Sequence, residues 1–275
     1  MTRPLDYAGK CVVVTGCASG MGRATAGLLL ALGAQVHGLD YREADLALAS
    51  FRRVDLRDPV SIERAADAAP SQIDALFNCA GLGPTFSPLD IMKVNFIGTR
   101  YLSEILLTRM REGGAIGSIA STAAMGWTRR VPVLKQLIAI EGYADAVRWS
   151  EANAEVLADG YTLSKEAVVV WTMLRSQDLI TRGIRINCIL PGLTQTPMLT
   201  DQIAVKTSAE VLDAVIQPSG RPARPEEQAF FLAVINSDSA SYLNGAAINV
   251  DGGRLARLAM GLGSAPMAAP TGATS

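Results

Sequence analysis

Thr15-Gly-Cys-Ala-Ser-Gly-Met-Gly22 sets three glycines, Gly16, Gly20 and Gly22, between a short apolar run, Cys11 to Val14, and an apolar-periodic stretch from Gly22 to Leu32. The run reads as a buried strand and the stretch as a helix that Gly33 closes. Glycine at such a junction lets the backbone turn tightly and approach another group with no Cβ in the way. A plain tight turn accounts for one glycine, not three. The unit is therefore strand, glycine turn, helix, and a strand apolar on both faces needs helices on both sides of its sheet.

The same alternation continues along the chain. Strands are expected near Gln35 to Leu39, Arg52 to Asp55, Ala75 to Asn78, Ala115 to Ala120, Arg185 to Leu190 and Ala246 to Val250. Helices are expected over about Val60 to Ala69, Asp90 to Arg111, Tyr161 to Thr181 and Pro225 to Asn236. With the first strand, this predicts an α/β chain with one doubly wound, Rossmann-type parallel sheet of about seven strands flanked by helices. One catalytic domain over residues 1–253 follows, with a tail from Arg254 to Ser275 that loses charge and reads as mobile or docked on a neighbouring subunit.

Composition narrows the classes. The formal net charge is −1 and the arginines are scattered, so neither a nucleic-acid partner nor an acidic one is expected. The opening Met-Thr-Arg-Pro-Leu-Asp lacks an apolar signal segment and no apolar run reaches the length of a membrane span, which predicts a cytoplasmic protein without a membrane partner. The four cysteines, Cys11, Cys17, Cys79 and Cys188, lack the paired spacing of a zinc site, so no metal is expected and they read as reduced core thiols.

A glycine turn opening a helix is suited to a pyrophosphate, although the spacing G-x-x-x-G-x-G differs from the generic dinucleotide fingerprint. Asp40 ends the second predicted strand, eighteen residues after Gly22 (40 − 22), where a carboxylate can accept hydrogen bonds from both adenosine ribose hydroxyls. A 2′-phosphate there would be repelled, and Ser19 offers it no cation, so NAD is expected rather than NADP. Arg42 is the one nearby charge that weighs the other way.

Further along, Tyr161-Thr-Leu-Ser-Lys165 places a phenol and an ammonium four residues apart, on one helical face. An adjacent ammonium favours phenolate, which draws the tyrosine toward proton exchange with an alcohol. A Ser-His-Asp hydrolase is disfavoured, because the only histidine, His37, lies inside a predicted strand and far along the chain from any elbow-like serine.

From about Lys10 to Gly253 the chain resembles the short-chain dehydrogenase/reductase family. Beyond the glycine turn and the Tyr161/Lys165 pair, the resemblance rests on Asp55-Leu56, Asn78-Cys-Ala-Gly81, Asn95, Ser121, Pro191-Gly192 with Thr196, and Val250-Asp-Gly-Gly253. It implies an NAD(H)-dependent oxidoreductase acting on CH–OH donors, with Asn95, Ser121, Tyr161 and Lys165 catalytic. Tyr161 as phenolate would accept the hydroxyl proton, Ser121 would orient the oxygen, and Lys165 would bond the nicotinamide ribose. Asn95 would seat a proton-relay water. Asp55 and Leu56 would contact adenine, Asn78, Ala80 and Gly81 would shape the cofactor floor, and Gly16, Ser19, Gly20, Met21, Gly22 and Asp40 would hold the adenosine and pyrophosphate. Pro191, Gly192 and Thr196 would hold the carboxamide, with Thr194 beside them, and Tyr161 and Lys165 would also touch the cofactor. Cys79 departs from the pattern, standing where relatives commonly carry a second Asn. A homo-oligomer, dimer or tetramer, is implied as well.

Ser121 and Tyr161 stand forty positions apart (161 − 121), where the family commonly has about thirteen, so about 27 residues over roughly 127–157 read as an insertion. Leu134, Leu137, Ile138, Val147, Trp149 and Val156 interspersed with charges predict one or two amphipathic helices. These would roof the substrate cleft, form a subunit contact or pack on their own domain. Bacterial 3α-hydroxysteroid dehydrogenase/carbonyl reductases and coniferyl alcohol dehydrogenases are similar in this spacer. The turn Cys79-Ala-Gly-Leu-Gly-Pro84 resembles the first subgroup, and Lys165-Glu-Ala-Val with Trp171 the second.

The apolar loop after Thr196, with Met198, Leu199, Ile203 and Val205, suits a bulky cyclic alcohol or ketone such as a 3α-hydroxysteroid. Leu212, Val215 and Ile216 would extend that wall or pack on the sheet. The alternatives are an aryl alcohol dehydrogenase and a non-catalytic NAD-sensing regulator, which would not need Ser121, Tyr161 and Lys165 together. A nucleotide-sugar epimerase or dehydratase would need a larger C-terminal domain than residues 254–275 provide.

Overall fold

The computed structural model describes residues 5–203, 208, 212, 215, 216 and 218–262. Its strands are β1 (Cys11–Thr15), β2 (Gln35–Asp40), β3 (Ser50–Arg53), β4 (Ile73–Asn78), β5 (Met110–Ile119), β6 (Arg185–Pro191) and β7 (Ala247–Val250). All seven pair in parallel, in the order β3-β2-β1-β4-β5-β6-β7. The order reverses between β1 and β4, and the carboxyl ends of those two strands flank the crevice such a reversal opens.

Side chains along a strand alternate between faces, and each face here has its own core. Val12 and Val14 of β1 join Tyr7, Leu29, Phe77 and Leu232 under helices α1 (Gly20–Ala31) and α9 (Pro225–Asn236). Val13 joins Ile62, Leu102, Ile116 and Trp171 under α2 (Pro59–Asp67), α4 (Thr99–Leu106) and α8 (Tyr161–Leu179).

The continuous helix expected over Asp90 to Arg111 is instead composite. A short α3 (Pro88–Met92) leads into a wide π turn, Lys93–Gly98, before α4 begins; a 3-10 turn, Leu107–Arg109, follows, and Met110 already belongs to β5. The π turn is fixed by neighbours distant in sequence. A Cβ on Gly98 would stand 2.2 Å from the Leu56 carbonyl oxygen, so that backbone packs directly on it.

The insertion folds as three helices rather than one or two: α5 (Val131–Ala139), α6 (Tyr143–Ala152) and the single-turn α7 (Ala154–Leu157). Pro132 suits the first turn of α5, and Gly142, at φ +78°, makes the break before α6. Leu134 and Leu137 are fully buried, and the insertion packs on α8, α3 and the π turn of its own domain. Each buried leucine contributes roughly 1.5 to 3 kcal/mol. Arg100 of α4, itself buried, donates from Nη1 to the carbonyls of Leu137 (3.3 Å) and Ile138 (3.1 Å) at the end of α5. Arg130 meets the buried Glu166 of α8 at 3.4 Å, and burial pushes that carboxyl up.

Part of the expected tail is folded. Helix α10 (Arg254–Ala259) places Leu255 against the core, and Arg254 donates to the Thr122 hydroxyl at 3.2 Å. Residues 263–275 lie outside the described residues. His37 shares a hydrogen bond with the Ser50 hydroxyl within the sheet, at 2.8 Å. Among the described residues no helix is long and apolar enough to cross a membrane.

Candidate active site

The three glycines of the first turn answer to three different neighbours. Gly16 adopts φ +70°, and a Cβ there would stand 2.7 Å from the backbone nitrogen of Ala80. On Gly22 it would lie 2.1 Å from the Gly16 carbonyl oxygen, and on Gly20 3.1 Å from the Thr196 methyl. Two of the three therefore clear room for protein backbone, closing the turn against the end of β4 and the head of α1. The third lets the turn approach the segment after β6.

A cavity of about 450 Å³ opens at this crevice. Gly16, Ser19, Gly20, Met21, Gly22, Asp40, Asp55, Leu56, Ala80, Gly81 and Thr196 all line it, as do Tyr41, Arg57, Leu82, Phe86 and Met198. Asp40 accepts from the Ala18 amide (2.9 Å) on one oxygen and the Arg42 amide (2.8 Å) on the other, tying the glycine turn to the end of β2. Arg42 reaches back to the Ser19 hydroxyl at 2.8 Å. Asp55 is gripped by Arg57 through both carboxylate oxygens, and these hydrogen bonds hold its carboxyl below the usual carboxylate range. The guanidinium groups of Arg53 and Arg57 lie 4.7 and 5.8 Å from the centre of the Tyr41 ring. Thr15, which sequence reasoning passed over, accepts from the amides of Cys79 (3.0 Å) and Ala80 (3.1 Å) and joins the ends of β1 and β4. A hydroxyl at the last position of a strand, just before a glycine turn, was its signal.

Other expected site residues stand behind this lining. Asn78 is buried and donates to the hydroxyls of Ser103 (3.0 Å) and Ser118 (3.3 Å), bracing β4 against α4 and β5. Asn95, in the π turn, accepts from the Leu82 amide (2.7 Å) and donates to the Leu82 carbonyl (3.0 Å). Its side-chain amide is thus committed to protein backbone. Pro191 ends β6, Gly192 donates to the Val250 carbonyl at 3.1 Å, and Thr194 and Thr196 bond within their own turn. Leu199–Ile203 winds into a second π turn rather than an open loop; Leu212, Val215 and Ile216 are half-buried, and Val205 lies outside the described residues.

Ser121 follows β5 and caps a 3-10 turn, Thr122–Arg129, accepting from the Ala123 amide at 3.1 Å. Tyr161 is the first residue of α8, and its phenol faces the Ser121 hydroxyl. Burial pushes the phenol above its ordinary value, the Ser121 hydroxyl pulls it down, and Asp159 adds to the rise. Lys165 is buried. Its ammonium donates to the Ile119 carbonyl at 2.9 Å, lies 5.8 Å from the centre of the Tyr161 ring, and is pushed down to about 8, chiefly by burial. The sequence argument has the ammonium drawing the phenol down; in the fold burial is the largest influence on each group, raising the phenol and lowering the ammonium. Lys165 and Asn95 both approach Gly81, at 3.7 and 3.4 Å from where a Cβ would sit. The reacting cluster and the cavity therefore meet at Gly81.

A parallel sheet with this turn, crevice and Ser-Tyr-Lys cluster defines a nicotinamide-dependent oxidoreductase of the short-chain dehydrogenase/reductase family, and the chain belongs to that family. The family model described as short chain dehydrogenase matches residues 10–132, and the one described as enoyl-(acyl carrier protein) reductase matches residues 133–254. The chain is 34% identical to the coniferyl-alcohol dehydrogenase of Pseudomonas sp. (strain HR199), over 90% of this chain and 98% of that one. It is 32% identical to the 3-alpha-hydroxysteroid dehydrogenase/carbonyl reductase of Comamonas testosteroni, covering 88% and 95%. Among solved structures, the 3-alpha-hydroxysteroid dehydrogenase of Pseudomonas sp. B-0831 in complex with NADH superposes with a TM-score of 0.77 at 29% identity, covering 90% of this chain and 99% of that one. The protein is accordingly an oxidoreductase acting on the CH–OH group of a small molecule.

Proposed function

We propose that the protein interconverts a ring-bearing secondary alcohol and its ketone with NAD(H), a 3α-hydroxysteroid or similar carbonyl compound being the leading substrate class. The observation that supports this reading is the placing of Ser121 after β5 beside Tyr161 at the head of α8, with Lys165 buried on the same helix, next to a cavity lined by the glycine turn. Bound NAD supplies the acceptor for a hydride from the carbinol carbon. The chain's own residues handle the proton. Tyr161 as phenolate takes it from the substrate hydroxyl, and Ser121 donates a hydrogen bond to the same oxygen while the phenol forms. Lys165 stabilises the phenolate and binds the nicotinamide ribose, and Asn95 keeps the Leu82 turn in place beside them. Pro191, Gly192, Thr194 and Thr196 border the nicotinamide end; Asp55 and Leu56 border the adenine.

NAD over NADP rests on Asp40. Asp40 lines the cavity, where its carboxylate would accept hydrogen bonds from ribose hydroxyls and would repel a 2′-phosphate. Leu82, Phe86 and Met198 supply an apolar flank for a ring system. A second reading, an aryl alcohol of the coniferyl type, is favoured by the 34% identity to coniferyl-alcohol dehydrogenase. We read residues 1–253 as one catalytic domain working in the cytoplasm as a homo-oligomer.

The test follows NADH appearance with NAD or NADP against 3α-hydroxysteroids, cyclic secondary alcohols and coniferyl alcohol. Turnover with NAD that falls at least about a hundredfold in Tyr161→Phe is the expected result. Turnover unchanged in that variant would sink the mechanism, and preference for coniferyl alcohol would select the second reading.

A further inference from the structure

The insertion reaches the cofactor cavity from behind. Tyr143, the first residue of α6, is buried, and its phenol donates to the backbone carbonyl of Leu56 at 3.1 Å. Leu56 and its neighbour Asp55 line the cavity. Gly98 presses on the same carbonyl, since a Cβ there would come within 2.2 Å of it. The Tyr143 ring is held in turn by an edge contact with Tyr101, at 5.9 Å between centroids. Burial, helped by the charges of Asp55, Asp58 and Asp90, pushes the Tyr143 phenol well above its ordinary value, so it stays a donor across the working pH range.

From this geometry we infer that Tyr143 is a positioning residue for the adenine end of the cofactor: the insertion sets cofactor affinity through the Leu56 carbonyl. The inference rests on the cofactor reading above, in which Asp55 and Leu56 border adenine. Its physical content is restricted motion. The Asp55–Arg57 segment lies between β3 and α2; Asp55 bonds Arg57 and its amide the Ser61 hydroxyl at 3.0 Å, Arg57 lies beside the Tyr41 ring, and the Leu56 side chain is buried in the core. Tyr143 and Gly98 bear on it from other parts of the chain. A segment left free to shift must be ordered when adenine binds, and that ordering subtracts from affinity. Fixed in advance by a buried donor, it binds without that cost. The insertion then contributes to binding without touching the ligand.

The experiment uses the full-length protein and titrates ADP-ribose, the cofactor without its nicotinamide, by calorimetry at 25 °C. Tyr143→Phe keeps the ring and removes only the donor. It should raise the Kd for ADP-ribose and the KM for NAD by roughly 3- to 10-fold, the size of one neutral hydrogen bond, with kcat at saturating NAD within twofold of wild type. Tyr101→Phe removes a phenol from the same ring pair, one bonded to Glu63 outside the cavity, and should leave ADP-ribose affinity unchanged. Equal affinity of Tyr143→Phe and wild type, with or without a drop in melting temperature, would overturn the inference while leaving the cofactor reading intact. An equal loss in Tyr101→Phe would also overturn it, by tracing the effect to general loosening of the insertion. Failure of the wild type to bind ADP-ribose would overturn both.

Discussion

Replacing Lys165 with methionine should stabilise the fold while destroying its chemistry. The side chain is 5% exposed, and burial lowers its pKa from 10.5 to about 8. At about 1.4 kcal/mol per pH unit, holding the ammonium there costs the folded state roughly 3 kcal/mol at neutral pH. Methionine removes that charge with a side chain of similar length but forfeits the charge-assisted hydrogen bond to the Ile119 carbonyl, worth about 2 kcal/mol. The net expectation is a variant about 1 kcal/mol more stable than wild type at pH 7, without added cofactor.

The sign of the pH dependence follows from which state holds the proton. Below about pH 8 the lysine is charged in both states, so the fold carries the whole cost. Between about 8 and 10.5 the folded protein sheds the proton first, and the cost is relieved as pH rises. Cys79 and Cys188, both pushed up to about 12 by burial, and Tyr161 are present in both proteins, so comparing the two largely removes their titration. Urea unfolding followed by tryptophan fluorescence at pH 7 and pH 9.5 should show the gap between variant and wild type narrowing. A variant less stable than wild type at pH 7, or a gap of equal size at both pH values, would refute the reasoning.

Two other substitutions probe the scaffold of the site. Asn95→Ala strips both hydrogen bonds from Leu82 and should cost about 2 kcal/mol in urea unfolding, with turnover reduced as the Leu82 turn loosens. Gly22→Ala drives a methyl to 2.1 Å from the Gly16 carbonyl, which is backbone and cannot swing aside; a loss of about 3 kcal/mol or more, with NAD binding abolished, should appear in thermal unfolding and calorimetry.

What could be read from the sequence divides along a physical line. The strands announced themselves because a parallel sheet covered on both faces needs runs such as Val12-Val-Val14; all seven overlap the expected positions, although β3 (Ser50–Arg53) lies two residues before the expected Arg52 to Asp55 and β5 (Met110–Ile119) begins five residues before Ala115. The Ser121, Tyr161 and Lys165 constellation was legible from residue type and order, and the fold sets Ser121, just after β5, beside Tyr161 at the head of α8. The break in the helix at Lys93–Gly98 was not, because its causes, Leu82 and the Leu56 carbonyl, are distant in sequence. The electrostatics of Lys165 were hidden for the same reason. A spacing of four puts the ammonium on the face of the phenol, but only the packed structure shows it desolvated and bonded to Ile119. The glycines do fall at the turn between β1 and α1, and there Gly16 and Gly22 make room for other backbone, a need only the packed structure reveals.

Ser121 follows a strand and Tyr161 heads a helix, and each is located by the sheet rather than by the chain joining them. That joining chain returns at Gly160, whose φ of +69° and close approach to the Pro88 carbonyl, 2.2 Å from a would-be Cβ, fix its point of re-entry. Its length is then nearly free. Tripling a connecting loop adds only about 1 kcal/mol of closure entropy, less than burial of Leu134 alone returns. The stretch between Arg130 and Gly160 therefore behaves as an exchangeable cassette, through which a chain of this kind can acquire a new outer surface without displacing the atoms that react.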